Sequence, residues 1–231
     1  FFPDRCLCGA KTQKEINTST NKEDAVRRCM KGYECSFTAK EKLKHIVSKE
    51  AFNIEGLGKK VIEQFWDLGI IKVPSDIFQL NFNKIEKLEG WGKLSIKNLK
   101  NAVDKAKIIS LNKFIYSIGI RHIGQENAKI LSGFFITINK FSDLFNQSKR
   151  KEILKNLNDL DGIGTTQVKS IEVFFFNLKN IEVVRSLIKA LEIKKYQNLK
   201  KKGMLSNKNL MFTGGFEKIS RSEAKALAEE N

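Results

Sequence analysis

The sequence contains only two prolines in 231 residues and no low-complexity segment. Disordered chains are rich in proline and poor in bulky apolar residues, whereas 41% of this chain is hydrophobic. The sequence also lacks an apolar run of about 18 residues, which a membrane-spanning helix requires, and no signal peptide is visible. These absences favour a folded cytoplasmic protein. The chain begins at Phe1 and not at methionine, so we expect a piece of a longer protein.

Acidic residues are too few to balance the basic ones. The chain has 42 lysines and arginines against 26 acidic residues, which gives a formal net charge of +16. Such an excess favours a polyanionic partner, above all nucleic acid. An anionic membrane surface is the rival interpretation, but the basic residues are spread over many segments and not gathered on one amphipathic helix. We therefore expect a nucleic-acid partner and no membrane.

One short pattern occurs four times along the chain. It reads Ile-Glu-Gly-Leu-Gly at 54–58, Leu-Glu-Gly-Trp-Gly at 88–92, Ile-Arg-His-Ile-Gly at 120–124 and Leu-Asp-Gly-Ile-Gly at 160–164. The final glycines are 32 to 40 residues apart, a spacing typical of repeated supersecondary units. Each copy predicts a tight turn followed by a helix, with the apolar residue between the glycines plugging the angle between two helices.

Such a turn can bind phosphate. Glycine lets another molecule approach the backbone, and the N–H groups at the start of the following helix attract an anion. A single copy is better explained as a simple turn, but four copies in a basic chain favour phosphate contacts. His122 stands where the other copies have a first glycine, and with no partnered nucleophile nearby it is predicted as a turn residue and not a general base. The predicted contacts are Gly56, Gly58, Lys59, Gly90, Gly92, Lys93, Arg121, Gly124, Gly162 and Gly164.

All four cysteines, Cys6, Cys8, Cys29 and Cys35, lie near the start of the chain. Four clustered thiols near one end of a chain that looks intracellular and has no other cysteine predict a structural Zn²⁺ site. The energy of zinc binding can fold a small segment. Disulfides, a finger without metal, and His45 as a substitute ligand are the alternatives. Only Leu7 separates the first two cysteines, and extended chain would point their sulfurs apart unless the backbone bends, which Gly9 would help.

Taken together, the four turns are similar to helix-hairpin-helix motifs, and their order behind a cysteine segment resembles the C-terminal half of bacterial NAD-dependent DNA ligases. That family shares the Cys29–Cys35 spacing but usually has two residues between the first two cysteines. A strand at 209–213, a Gly-Gly turn and a capping box at 220–223 resemble the start of a BRCT domain. The resemblance places a phosphate contact on Thr213 and Gly214.

The predicted fold is mainly α, with four tandem helix-hairpin-helix motifs between a small four-cysteine zinc finger and a truncated α/β BRCT start. We expect the zinc finger at 1–37, the helix-hairpin-helix domain at 38–193, a basic linker at 194–207 and an incomplete BRCT domain at 208–231. The run Phe174–Phe176 is predicted as core, with a wedge beside the minor groove as the alternative.

The resemblance implies sequence-nonspecific binding of nicked double-stranded DNA, as part of a monomeric, nucleoid-associated enzyme that seals nicks in replication and repair. It implies NAD⁺ and Mg²⁺ only for the parent enzyme, whose N-terminal adenylation and OB-fold portion is a missing partner. Asp159-Leu160-Asp161-Gly162 looks like the adenylation motif, but an aspartate stands where the nucleophilic lysine belongs, so we predict no catalytic residue here. A repair nuclease or glycosylase accessory domain and a nonenzymatic adaptor are the alternative functions.

Overall fold

The computed structural model describes residues 3–16, 22–197, 210–214, 224 and 227–228. It divides into two compact units, Phe1–Tyr196 and Gln197–Asn231. The mainly helical fold class predicted from the sequence is confirmed. In the described part of the chain, every helix is too short or too polar to cross a bilayer.

The first unit opens with a small β-hairpin. Strand β1 (Thr12–Ile16) pairs antiparallel with β2 (Glu23–Cys29), and Thr12 lies opposite Cys29. An isolated bridge between Arg5 and Lys11 continues the hairpin towards the first cysteines. A 3-10 turn at Gly32–Glu34 then leads into the first helix.

In the described part of the first unit, ten α-helices follow, and most of them are short. They are α1 (Ser36–Val47), α2 (Lys59–Asp67), α3 (Phe82–Ile85), α4 (Lys93–Ala106), α5 (Leu111–Ser117), α6 (Gln125–Phe135), α7 (Ile138–Ser142), α8 (Gln147–Asn158), α9 (Thr165–Phe176) and α10 (Leu178–Lys189). Further 3-10 turns lie at Pro74–Gln79 and Asp143–Phe145.

A second, two-stranded sheet joins the middle of the chain to its later part. Strand β3 (Ile108–Ser110) pairs in parallel with β4 (Glu192–Lys194). Beyond β4, the N–H of Tyr196 donates to the carbonyl of Ile136 over 2.8 Å. The first residues of the predicted linker are therefore fixed against the helical unit by backbone hydrogen bonds.

The abundant phenylalanines form the core. Phe141 is fully buried, and its ring centroid lies 5.2 Å from that of Phe135 and 5.7 Å from that of Phe175. Edge-to-face geometry at these distances adds to the stabilisation that burial itself provides. In the run 174–176, Phe174 and Phe175 are buried as predicted, but the core prediction is wrong for Phe176.

Phe176 is 77% exposed and is the last residue of α9. At about 1.5 Å per residue it lies about 18 Å from the glycine turn that begins this helix. A phosphate held at the turn would be far from Phe176, so the structure gives no support to a wedge beside that phosphate.

The second unit is described at only a few positions. Thr213 and Gly214 are exposed, and Gly214 has a φ of +82°. The described residues 210–213 of the predicted strand are not in a strand, while Asn209, Gly215 and the capping box at 220–223 lie outside the described residues. The BRCT interpretation of this segment stays a prediction.

Candidate nucleic-acid interface and metal centre

The four turns share one hydrogen-bond geometry. In each, the N–H of the apolar residue before the final glycine donates to the carbonyl three residues earlier, over 3.0 to 3.2 Å. The donors and acceptors are Leu57 to Ile54, Trp91 to Leu88, Ile123 to Ile120, and Ile163 to Leu160. Leu57, Ile123 and Ile163 are at most 5% exposed, as expected for a residue that plugs the angle between two helices, whereas Trp91 in the second turn is half-buried.

The residue before this plug always has a left-handed backbone. The φ angles are +89° at Gly56, +82° at Gly90 and +83° at Gly162. His122 holds the same position in the third turn with a φ of +58°. Left-handed backbone angles disfavour residues with a Cβ atom. The repeated glycine in the sequence is therefore explained by the repeated left-handed angle in the backbone.

The final glycine of each turn begins a helix. Gly58, Gly92, Gly124 and Gly164 are the N-cap residues of α2, α4, α6 and α9, all with extended backbone angles. Any residue can adopt these angles. A Cβ atom at Gly58 or Gly92 would meet nothing within 4 Å. Neither strain nor close packing in the fold therefore requires glycine at these two positions.

These helix starts are suited to an anion. The first N–H groups of a helix have no partner within it, and a glycine N-cap has no side chain to accept from them. Basic residues follow directly in two cases, Lys59 in α2 and Lys93 in α4, and the first turns of both helices lack acidic residues. Of the ten predicted contacts, nine are exposed and Arg121 is half-buried.

The third turn has its own side-chain network. Arg121 Nε donates to His122 Nε2 over 3.1 Å, so the other ring nitrogen, Nδ1, carries the proton in a neutral ring. His122 Nδ1 lies 3.0 Å from Ser170 Oγ, which donates to the carbonyl of Thr166. The imidazole thus orients the guanidinium group beside the turn, consistent with a turn residue.

Turns three and four contact each other reciprocally. His122 of the third turn reaches Ser170 in α9, the helix that follows the fourth turn. In return, Asn127 Nδ2 of α6 donates to the carbonyl of Gly162 over 3.0 Å, and Ile130 packs against the same glycine. This exchange places both turns in one paired unit.

Turns one and two are paired in the same way. A Cβ atom at Gly56 would lie 3.5 Å from Leu99 Cδ1 in α4. In return, the Trp91 ring of the second turn lies 5.4 Å from the Phe65 ring in α2. A groove of about 1180 Å³ opens beside this pair, lined by both turns and by polar residues of α4 that include Asn98, Asn101 and Lys105.

Gly162→Ala is expected to lower the free energy of unfolding by about 1–3 kcal/mol, because alanine is strained at positive φ. Its Cβ would also lie 2.5 Å from Ile130 Cδ1. The matched control is Gly90→Ala, which has nearly the same φ but no atom within 4 Å of its Cβ. Denaturant unfolding should show a smaller loss in the control, and Ile130→Val should partly rescue Gly162→Ala. Equal losses in both alanine variants would contradict a close contact at Gly162.

The four cysteines come together at one point. Their sulfur atoms all lie within 4.8 Å of one another, with 3.7 Å between Cys6 and Cys35 and 3.7 Å between Cys8 and Cys29. A tetrahedral zinc with bonds of about 2.3 Å separates its sulfur ligands by about 3.8 Å, so the cluster fits a metal. These distances are far too long for disulfides, and all four cysteines are free.

A backbone bend reconciles the short spacing of the first pair with one metal. The N–H of Gly9 donates to the carbonyl of Cys6 over 2.8 Å, and Gly9 has a φ of +83°. Both sulfurs therefore face inward while Leu7 between them is 84% exposed. Burial opposes ionisation of Cys35, but hydrogen bonds from the side chain and main chain of Thr38, together with those from Cys8 and Cys6, outweigh it and lower the pKa of this thiol to about 6.

His45 does not belong to this cluster. Its Nε2 lies 3.0 Å from the carbonyl of Tyr116, and its ring packs edge-on against the Tyr116 ring. A carbonyl only accepts, so Nε2 carries the proton and is unable to bind a metal in this state. In the part of the chain that the structure describes, the candidate metal ligands are the four cysteines.

Sequence reasoning missed several residues that support the turns, among them Asn127, Gln167 and Ser170. One signal was available for two of them, since Asn127 and Gln167 each stand three residues after an N-cap glycine. At that position a polar side chain can reach back to the turn, as Gln167 does by accepting from the N–H of Gly164 over 3.2 Å. Ser170 had no comparable signal because its partner His122 is 48 residues away.

Comparison with known proteins places these features in a family context. Residues 113–184, which hold the third and fourth turns, match a family model described as a helix-hairpin-helix motif. The whole chain is 51% identical to part of a DNA ligase of Pelagibacter ubique, of which it covers 34%. DNA ligases of Rickettsia bellii and Parvibaculum lavamentivorans are 41% and 38% identical over 90% and 99% of the chain. The chain spans about a third of the length of the curated relatives it matches.

Proposed function

We propose that this chain, which is similar over 90% or more of its length to a segment of curated DNA ligases, binds the backbone of nicked double-stranded DNA without sequence specificity. In this proposal it is the DNA-binding part of a bacterial NAD-dependent DNA ligase. It would act as a monomer in the cytoplasm, where the nucleoid is.

The N-cap glycines carry this proposal. Gly58 and Gly92 have ordinary backbone angles and open space beside their Cα atoms, so neither strain nor packing explains the absence of a side chain. A phosphate that approaches the helix start explains it, because a Cβ atom there would stand between the phosphate and the N–H groups. The formal net charge of +16 supports the same partner.

The turns would bind phosphates and leave the bases unread. Main-chain N–H groups recognise phosphate oxygens equally beside any base, so the contacts position the DNA and carry no sequence information. Lys59, Lys93 and Arg121 would add fixed positive charge beside three of the turns. Because turns one and two form one pair, and turns three and four another, each pair would hold the two strands across the minor groove.

The four cysteines would hold a structural Zn²⁺ ion. Four thiolates complete the coordination sphere of zinc, so the ion would stabilise the fold and leave no open position for a substrate. Cys35 connects this site to the helices, since it is both a candidate ligand and the N-cap residue of α1. Of the BRCT-like phosphate residues, Thr213 and Gly214 are exposed and so accessible to a phosphate.

The chemistry of nick sealing would come from the remainder of the parent enzyme. In that remainder, NAD⁺ would supply AMP to a lysine and then to the 5′ phosphate of the nick, with Mg²⁺ as the implied metal, and the 3′ hydroxyl would displace AMP. The residues of this chain would contribute by keeping the nicked duplex in place for that portion. By itself the chain is expected to bind DNA and to seal nothing.

Fluorescence anisotropy with a labelled nicked duplex tests DNA binding. With about four to eight phosphates neutralised, the logarithm of the affinity should fall with the logarithm of the salt concentration with a slope of about −4 to −7. A duplex of the same length and shuffled sequence should bind equally well. If the chain binds neither of the two duplexes at low salt, the proposal is refuted.

A mixing experiment tests the link to nick sealing. The adenylation and OB-fold portion of the Pelagibacter ubique DNA ligase would be expressed separately and assayed on a nicked substrate with and without this chain. We expect sealing to increase when the chain is added, because it raises the residence time of the DNA. No increase over an unrelated basic protein would contradict a role as the missing part of such an enzyme.

A further inference from the structure

One lysine lies where the four-cysteine segment, the third turn and helix α9 come together. Lys42 is on α1 and points its Nζ between two aromatic rings, 5.2 Å from the centroid of Tyr33 and 5.3 Å from that of Phe174. The same Nζ donates to the carbonyl of Gly119 over 3.3 Å. Within the described part of the chain these are its contacts, and none of them is a carboxylate.

On the side of the four-cysteine segment, the partner of Lys42 is Tyr33, and candidate metal ligands flank the turn that carries this residue. Tyr33 belongs to the 3-10 turn Gly32–Glu34, which lies between the candidate ligands Cys29 and Cys35. Cys35 is fully buried and is followed directly by α1. A metal that held both cysteines would therefore fix the turn that carries Tyr33, whose ring faces Lys42, and the start of the helix that carries Lys42.

The DNA-binding end is the start of the third turn. Gly119 has a φ of +66° and its N–H donates to the carbonyl of Tyr116 over 3.2 Å. His45, one helical turn after Lys42, bonds to that same carbonyl. Two side chains of α1 therefore bind main-chain carbonyls just before the third turn. Lys42 binds the carbonyl of Gly119, and His45 binds that of Tyr116.

The environment of Lys42 shows that this contact is specific. Lys42 is half-buried, and this burial lowers the pKa of its ammonium group to about 8. Burying a charge without a carboxylate is unfavourable, and the two ring faces and the carbonyl are what offset it. A solvated lysine on a helix face would need none of these partners.

We propose that Lys42 is a positioning residue that couples the four-cysteine centre to the third turn, so that the metal-bound finger holds this turn in the shape that binds a DNA phosphate. The proposal rests on the proposed function for the role of the turn. The coupling itself is a property of the free protein and can be measured without DNA.

Hydrogen–deuterium exchange on the full zinc-loaded chain tests the coupling. In Lys42→Met, amide exchange over 118–128 should rise about tenfold, because the turn opens locally, while exchange over 88–96 in the second turn stays unchanged. Lys42→Arg, which keeps the charge and the donor, should restore protection. Lys40→Met is the matched control, since Lys40 is on the same helix and pairs with Asp67 at 3.9 Å.

Metal removal gives an independent readout on the unaltered sequence. A chelator added to the wild-type chain should raise exchange over 118–128 but not over 88–96. Unchanged exchange over 118–128, in Lys42→Met or after chelation, would overturn the coupling. So would an equal rise in both turns, since that would mean general destabilisation.

Binding to nicked duplex then links the coupling to function. Lys42→Met should weaken binding about fivefold, and Lys42→Arg should not. Unweakened binding by Lys42→Met would overturn the functional part of this proposal. A wild-type chain that binds no DNA would instead refute the proposed function, and the exchange experiment would still decide the coupling.

Discussion

Gly58→Asp and Gly164→Asp should each weaken binding to nicked duplex by about 1–3 kcal/mol, which is about 5- to 150-fold in affinity. Each aspartate would accept from the N–H groups that otherwise hold the phosphate, and its charge would repel the phosphate. Because the two turns belong to different pairs, the double variant should lose about the sum of the two single losses. Anisotropy titrations at constant salt measure these losses.

The Gly58→Asp substitution should leave the fold intact. Aspartate is among the most favoured N-cap residues, so at Gly58 it is expected to keep or slightly raise the free energy of unfolding. A variant that is at least as stable but binds DNA worse separates a contact role from a folding role. Gly58→Asn is the matched control, because asparagine fills the same space without the charge and should lose less affinity. If both aspartate variants bind as tightly as the wild type, these two turns do not contact phosphate.

Cys35→Ser should abolish stoichiometric zinc binding and unfold the segment before α1. Apparent binding energies of structural zinc in small fingers are about 10–16 kcal/mol, far more than the short β1–β2 hairpin can replace by packing. Elemental analysis should find about one zinc per wild-type chain under reducing conditions and much less in the variant, while circular dichroism keeps most of the helical signal.

Leu7→Ala is the control for this experiment. Leu7 lies between two candidate ligands but is 84% exposed, so its side chain contributes little to the finger. The control should retain zinc and a protected hairpin. A wild-type chain that contains no zinc but keeps slow amide exchange over 22–35 would contradict a structural metal.

The features that could be predicted from the sequence are those set by neighbouring residues. The left-handed angle at Gly56, Gly90 and Gly162 depends on the residue itself, and the bond that closes each turn spans three residues. The cysteine cluster was predictable because four thiols in one short segment have few other uses. Even the irregular spacing of Cys6 and Cys8 is resolved by the adjacent Gly9.

The features that could not be predicted depend on residues far apart in the chain. Nothing in the third turn indicates that His122 would meet Ser170, or that Gly162 would pack against Ile130. Lys42 looks like any lysine on a helix, and only the fold shows the two rings beside it. The pairing of β3 with β4 was missed because each strand has three residues, too few for a pattern to be visible.

The parallel pairing of β3 and β4 has a practical consequence for where the chain can be shortened. Glu192 donates its N–H to the carbonyl of Lys107, and Tyr196 donates to Ile136, so the end of the helical unit is tied to its middle. A recombinant fragment that stopped at Lys189, the end of α10, would lack β4. The backbone groups of β3 that pair with β4 would then be unpaired and could pair with another chain. A minimal soluble version should therefore extend through Tyr196.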